Sequence, residues 1–153
     1  MNSLFQRRIV CRCLFLVLLL TGSCQHSQAQ LIVAHRGASY DAPENTLAAF
    51  RLAWAQEADG IEGDYYLSSD GHIVCIHDDT TERTTGVNLK VANTTLAELK
   101  KLDVGSWKGK QFSGERIPTL QEVAETVPAG KRIIIELKIG PEIVAPMKTC
   151  LLY

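Results

Sequence analysis

With 153 residues, 46% of them hydrophobic, the chain is near the size of one domain and can bury a packed core. An aromatic content of 7% and the lack of low-complexity tracts exclude a disordered or fibrous protein. The formal net charge is −1, and beyond residue 29 there are 13 basic against 17 acidic residues, so the chain has no electrostatic footprint for nucleic acid.

Residues 1–29 read as a secretory signal peptide. Arg7, Arg8 and Arg12 form a positive leading region, residues 14–20 an apolar core, and Ser27-Gln28-Ala29 a small-residue cleavage site, so the mature chain would begin near Gln30. The apolar run is shorter than the roughly 20 residues that span a bilayer. No stable membrane span is therefore expected after signal removal; an uncleaved N-terminal anchor is the other reading. Thr21-Gly22-Ser23-Cys24 resembles a lipoprotein box, with Thr21 where an aliphatic residue is usual. The expected location is secreted or periplasmic, with lipoprotein anchoring through Cys24 as a variant. After this leader only Cys75 and Cys150 remain, placed as core fillers rather than as a disulfide framework.

Leu31-Ile32-Val33-Ala34 predicts a short buried parallel strand ending at His35-Arg36-Gly37. Pro43 breaks the chain, and Asn45 can cap a helix with Leu47, Phe50 and Trp54 on one face. Residues 61–67 alternate as a second strand, with Glu62, Asp64 and Tyr66 on one side and Ile61, Gly63, Tyr65 and Leu67 on the other. Ser69-Asp70-Gly71 is a turn, and Ile73-Val74-Cys75-Ile76 a third strand ending at His77-Asp78. Residues 79–117 are irregular apart from a helix over 96–102, opened by a Thr95/Glu98 capping box. A second box, Thr119/Glu122, opens a helix through Val127, which Pro128 and Gly130 end. Ile133-Ile134-Ile135 is a fourth strand ending at Glu136-Leu137-Lys138, and Pro141 can open a last helix. Apolar strands alternating with helices predict parallel βα units, and the pattern alone leaves a doubly wound sheet and a barrel both open. No glycine-rich dinucleotide fingerprint follows the first strand. Either fold places its ligand where the polar residues gather, at the C-terminal strand ends.

Those strand ends hold the candidate chemistry. Imidazole is the side chain suited to proton transfer near neutral pH, so of His35 and His77 one can accept a proton while the other donates. Glu62 and Asp64 project from one strand face, and an inward pair of acids implies a cation. An all-oxygen donor set favours Mg²⁺ or Ca²⁺, and Glu136 is a candidate third ligand. Arg36 suits bidentate contact with phosphate. Lys138 can bind a phosphate oxygen or pair with Glu136. Glu44 can orient Arg36 or His35, or act as a first-turn acid at a helix start. Asp78 can orient a histidine or cap its loop.

The ordered series His35-Arg36-Gly37, Pro43-Glu44-Asn45-Thr46, Glu62-x-Asp64, Asp70-Gly71, His77-Asp78, Arg83-Thr84-Thr85-Gly86, Ile117-Pro118-Thr119-Leu120 and Glu136-x-Lys138 resembles the glycerophosphodiester phosphodiesterase family. The likeness runs over residues 31–138. It implies a TIM barrel and hydrolysis of glycerophosphodiesters, a small-molecule substrate class, to glycerol 3-phosphate and an alcohol. It also implies that His35 and His77 are the general acid/base pair, that Glu62, Asp64 and Glu136 bind a divalent cation, and that Arg36 and Lys138 bind the phosphate. Residues 79–117 would be the family's insertion after the third strand, shaping the substrate entrance. A related barrel enzyme acting on phosphoinositides or sphingomyelin shares the paired histidines and acids.

A TIM barrel takes about 250 residues, sometimes about 200, whereas residues 30–153 offer 124 and four visible strands. The fold expected is thus an α/β, TIM-type (β/α) barrel, incomplete, with about four N-terminal βα units. Such a chain is either a fragment, which could be a catalytically inactive binding module, or one that self-associates through open barrel edges.

Overall fold

The structure is a computed structural model and describes residues 30–151. The signal peptide expected over 1–29, with Cys24, lies outside the described residues. Val33–Ala34 (β1) and Arg132–Leu137 (β4) both pair in parallel with Gly60–Leu67 (β2), Val33 and Arg132 both meeting Gly60. β2 is therefore the middle strand, flanked on opposite edges. The helix Leu47–Ala55 (α1) lies between β1 and β2 in sequence, as a parallel crossover requires. This is part of the expected barrel.

The third strand corrects the predicted order. Ile73–Cys75 (β3) runs antiparallel to β2, with Tyr65 opposite Cys75 and Leu67 opposite Ile73. Only residues 68–72 separate the two strands, too few for a parallel crossover, which needs a dozen or more. The chain turns back through Ser68, whose hydroxyl donates to Asp70 Oδ1 at 2.7 Å, and through Gly71 at φ +83°. Three parallel strands, not four, make the barrel-type sheet among the described residues.

Thr46, not Asn45, caps α1: its hydroxyl accepts from Ala49 N–H at 3.2 Å. The helix buries Ala49, Phe50 and Ala53. Its first turn also backs the His35-Arg36-Gly37 segment, where Gly37 sits at φ +75° and a Cβ would lie 2.7 Å from the Ala49 backbone carbon. Only glycine allows that approach.

Phe50, Ile61, Tyr65, Cys75, Leu120, Val123 and Ile143 form one core. A second core gathers Val74, Ile76, Val91, Leu99, Val104 and Ile117, mostly from the stretch after β3. Each fully buried aliphatic side chain contributes about 1.5–3 kcal/mol. Both capping boxes form as their spacing predicts. The helices they open, Leu96–Leu99 and Leu120–Ala124, are shorter than predicted. Each tightens into three-residue turns, with Leu102 N–H on the Leu99 carbonyl and Val127 N–H on that of Ala124.

The first strand is shorter and wetter than predicted: Ile32 is 65% exposed, and Ile134 on β4 is 46% exposed. Among the described residues, β1 and β4 each pair along one edge only. Cys75 is buried and Cys150 half-buried, and among the described residues neither forms a disulfide. No helix among the described residues is long and apolar enough to cross a membrane.

Candidate active site

Arg36 follows β1 in the left-handed region, φ 57°. That turn aims its backbone N–H at Glu62 Oε2, 2.9 Å away. Its guanidinium reaches Asp64 Oδ2 and Glu44 Oε1, each at 3.2 Å. Glu62 and Asp64 share one face of β2 by strand parity. The parallel register sets Glu136 of β4 beside Asp64, and one oxygen from each of the three carboxylates lies within 4.8 Å of the others. The expected acid triad is therefore assembled.

Its electrostatics suit a cation. Burial pushes the Glu62 carboxyl above its ordinary range, and the Arg36 N–H only partly opposes this, with Asp64 and Glu136 adding repulsion. Glu62 Oε1 is buried with no hydrogen-bond partner among the described residues. Burial also pushes Asp64 upward, but the Asn45 amide and the Lys138 ammonium outweigh it and hold that carboxyl below its ordinary range. An orphaned buried carboxylate oxygen beside two further carboxylates fits a hard divalent ion. Lys138 Nζ lies 2.9 Å from Asp64 Oδ1 and 2.5 Å from Glu136 Oε1, so it balances the charge of two of these acids.

His35 is mostly exposed, with Nε2 3.9 Å from Glu62 Oε2. His77 is half-buried, and its Nδ1 lies 2.6 Å from Asp78 Oδ1. A proton donated from Nδ1 to that carboxylate leaves Nε2 as the free acceptor. Asp78 thus contacts His77, in line with one of its two expected roles, and Glu44 pairs with Arg36.

Two residues enter that sequence reasoning missed. Asn45, buried at φ 57°, donates from Nδ2 to Asp64 Oδ2 at 2.8 Å and accepts the Asp64 N–H on Oδ1 at 3.2 Å. The signal was present: Asn45 and Thr46 are adjacent capping residues, and only one can cap. Arg83 binds both Glu44 and Asp78. In the sequence Arg83 stands only as part of a motif, because Glu44 lies 39 positions away, although Asp78 is only five away.

Parallel strands that bring three carboxylates and two basic side chains together define an incomplete α/β barrel of the TIM type. The chain belongs to the glycerophosphoryl diester phosphodiesterase family, whose profile matches residues 35–153. It is 51% identical over 111 residues to a glycerophosphodiester phosphodiesterase of Caldanaerobacter subterraneus subsp. tengcongensis, covering 72% of this chain and 46% of that one. It is 41% identical over 109 residues to the Homo sapiens glycerophosphodiester phosphodiesterase 1, covering 69% of this chain and 33% of that one. Among solved structures it is similar to an Oleispira antarctica phosphodiesterase in complex with its product sn-glycerol-3-phosphate. The TM-score is 0.76 at 43% identity, over 80% of this chain and 52% of that one. A glycerophosphodiester phosphodiesterase from Agrobacterium tumefaciens matches with a TM-score of 0.72 at 38% identity, over 79% of this chain and 53% of that one. The chain thus spans about half the length, or less, of each of these relatives.

Proposed function

We propose that this site serves the metal-dependent hydrolysis of glycerophosphodiesters to glycerol 3-phosphate and an alcohol. The observation that carries the reading is the Glu62–Asp64–Glu136 cluster, with its unpartnered buried Glu62 oxygen set against Arg36, in a chain of this family. Those three carboxylates would hold a divalent cation, Mg²⁺ or Ca²⁺, which would neutralise phosphate charge. Arg36 presents a planar fork of N–H donors to the phosphate oxygens, and Lys138 a point charge. His77, with Nδ1 held by Asp78, accepts or donates a proton at Nε2. His35, near Glu62, carries the opposite transfer: the attacking water, or the substrate's own glycerol hydroxyl, is deprotonated and the leaving alkoxide protonated, and water then opens the cyclic phosphate that attack by the hydroxyl would form.

Glycerol 3-phosphate release from glycerophosphocholine, with Mg²⁺ or Ca²⁺ present, tests the reading. His35→Ala and His77→Ala should each lower the rate by roughly 10²–10⁴-fold. Folded protein that a cation stabilises but that releases no product would refute hydrolysis by this chain and leave a metal-binding module. We also propose that residues 1–29 direct secretion or periplasmic export and that residues 79–117 shape the substrate entrance. N-terminal sequencing of exported protein starting at Gln30 checks the first; a change of substrate preference on altering 79–117 checks the second.

A further inference from the structure

Arg83 has no part in the chemistry above, yet it is held by two carboxylates that each serve a different functional side chain. Its Nε donates to Asp78 Oδ2 at 2.6 Å. Nη1 donates to Glu44 Oε2 at 3.0 Å and Nη2 to Glu44 Oε1 at 2.7 Å. The other Asp78 oxygen lies 2.6 Å from His77 Nδ1, and Glu44 Oε1 also accepts from Arg36 Nη1 at 3.2 Å. One continuous chain of contacts therefore runs from the His77 imidazole through Asp78, Arg83 and Glu44 to Arg36. Isolated surface ion pairs contribute little. This one is bidentate on Glu44, whose side chain is only 13% exposed, and shares its acceptors with functional groups. The loop that carries Arg83 is itself pinned. The Thr81 hydroxyl donates to the Val87 carbonyl and accepts from Leu89 N–H, Thr84 is buried, and Gly86 closes the turn at φ +74°.

We propose that Arg83 is a positioning residue that couples the His77 imidazole to the Arg36 guanidinium; its catalytic meaning rests on the reading above of those two groups. At the histidine end, Arg83 fixes the Asp78 carboxylate, which selects the imidazole tautomer protonated at Nδ1 and keeps Nε2 open. Without Arg83, the Asp78 carboxylate keeps only its contact to His77 and is free to turn, and the selection weakens. At the arginine end, Glu44 divides its lone pairs between two guanidinium groups. Without Arg83, it closes on Arg36 alone and draws that fork away from Asp64 and from an incoming phosphate. The two ends predict a split: kcat falls through His77 and KM rises through Arg36. Lysine cannot replace the arginine, because a single ammonium lacks the rigid fork that holds both acids at once.

The test is the tautomer of His77, read from imidazole ¹⁵N shifts in the full chain, and it needs no turnover. The wild type should show predominantly the Nδ1-protonated form. Arg83→Met should shift it toward a mixture, as should Asp78→Asn, and the double variant should add little to either. A folded Arg83→Met chain with the wild-type His77 signature overturns the proposal; if that variant does not fold, Arg83→Gln is read in its place. A wild-type chain lacking the Nδ1-protonated form overturns it without any variant. In chain that turns over glycerophosphocholine, Arg83→Met should lower kcat/KM by roughly 10–100-fold, shared between kcat and KM. A loss of thermal stability with both constants unchanged would mark Arg83 as merely structural. Failure to hydrolyse substrate refutes the hydrolase reading while leaving the tautomer result standing, so the two failures are distinguishable.

Discussion

Replacing Asn45 with alanine should destabilise the chain by about 3 kcal/mol or more, a large share of a typical domain's stability. Three effects act together. The 2.8 Å bond from Asn45 Nδ2 to the buried Asp64 carboxylate is lost, and bonds to charged groups contribute about 1.5–3 kcal/mol. The Asp64 N–H, which donates to Asn45 Oδ1 at 3.2 Å, is left without its acceptor, at a cost of about 1–3 kcal/mol. Alanine must also hold φ near 57°, a left-handed conformation that asparagine tolerates but that costs other residues about 1–2 kcal/mol. Asn45→Gly removes the same hydrogen bonds without that last penalty, so it should be about 1 kcal/mol less damaging than Asn45→Ala. Urea denaturation of the three proteins in chelator, at neutral pH, measures both differences. An Asn45→Ala chain within about 0.5 kcal/mol of wild type would refute the reasoning. A glycine variant no better than alanine would refute its backbone part alone.

Glu62→Gln should have opposite effects with and without cation. Because burial raises the Glu62 carboxyl, its ionised form opposes folding at neutral pH, so the variant should melt at or above the wild-type temperature in chelator. With Mg²⁺ or Ca²⁺ at a hundred times its Kd, the wild type should gain about 2.7 kcal/mol and the variant far less, as thermal shift would show. Asp103 accepts the N–H groups of Ser106, Gly114 and Gly105, which hold its carboxyl far below the ordinary value of 3.8. A depressed acid contributes stability above its unfolded pKa and loses it as pH falls through the folded one. Asp103→Asn should therefore lower Tm at neutral pH and flatten the acid limb of the Tm–pH curve below pH 3.8. We also expect the one-sided edges of β1 and β4 to drive concentration-dependent association. Sedimentation velocity should show it diminished in Ile32→Lys, and a wild type that stays monomeric at high concentration would remove the premise.

The candidate site was legible wherever its geometry follows from one-dimensional spacing. Strand parity alone places Glu62 and Asp64 on one face, and a separation of eight residues lets Glu44 reach Arg36. The two capping boxes likewise form because both partners lie within one helical turn. The antiparallel direction of β3 also follows from spacing, since five intervening residues, 68–72, cannot make a parallel crossover, whatever the apolar run of 73–76 suggests.

By itself the sequence determined the shared strand face of Glu62 and Asp64, which lie within β2 and not at its end as expected, the local caps, and the family likeness that the matching profile confirms. Only the tertiary structure decided that Glu136 stands beside Asp64, that Asn45 turns away from the helix it precedes to clamp β2, and that Arg83 joins the two ends of the site. The physical reason is common to all three: each depends on the register of segments remote in the chain. That register is set by burial of the core between them, through Phe50, Ile61, Tyr65 and Cys75, and not by any signal the participating residues carry themselves.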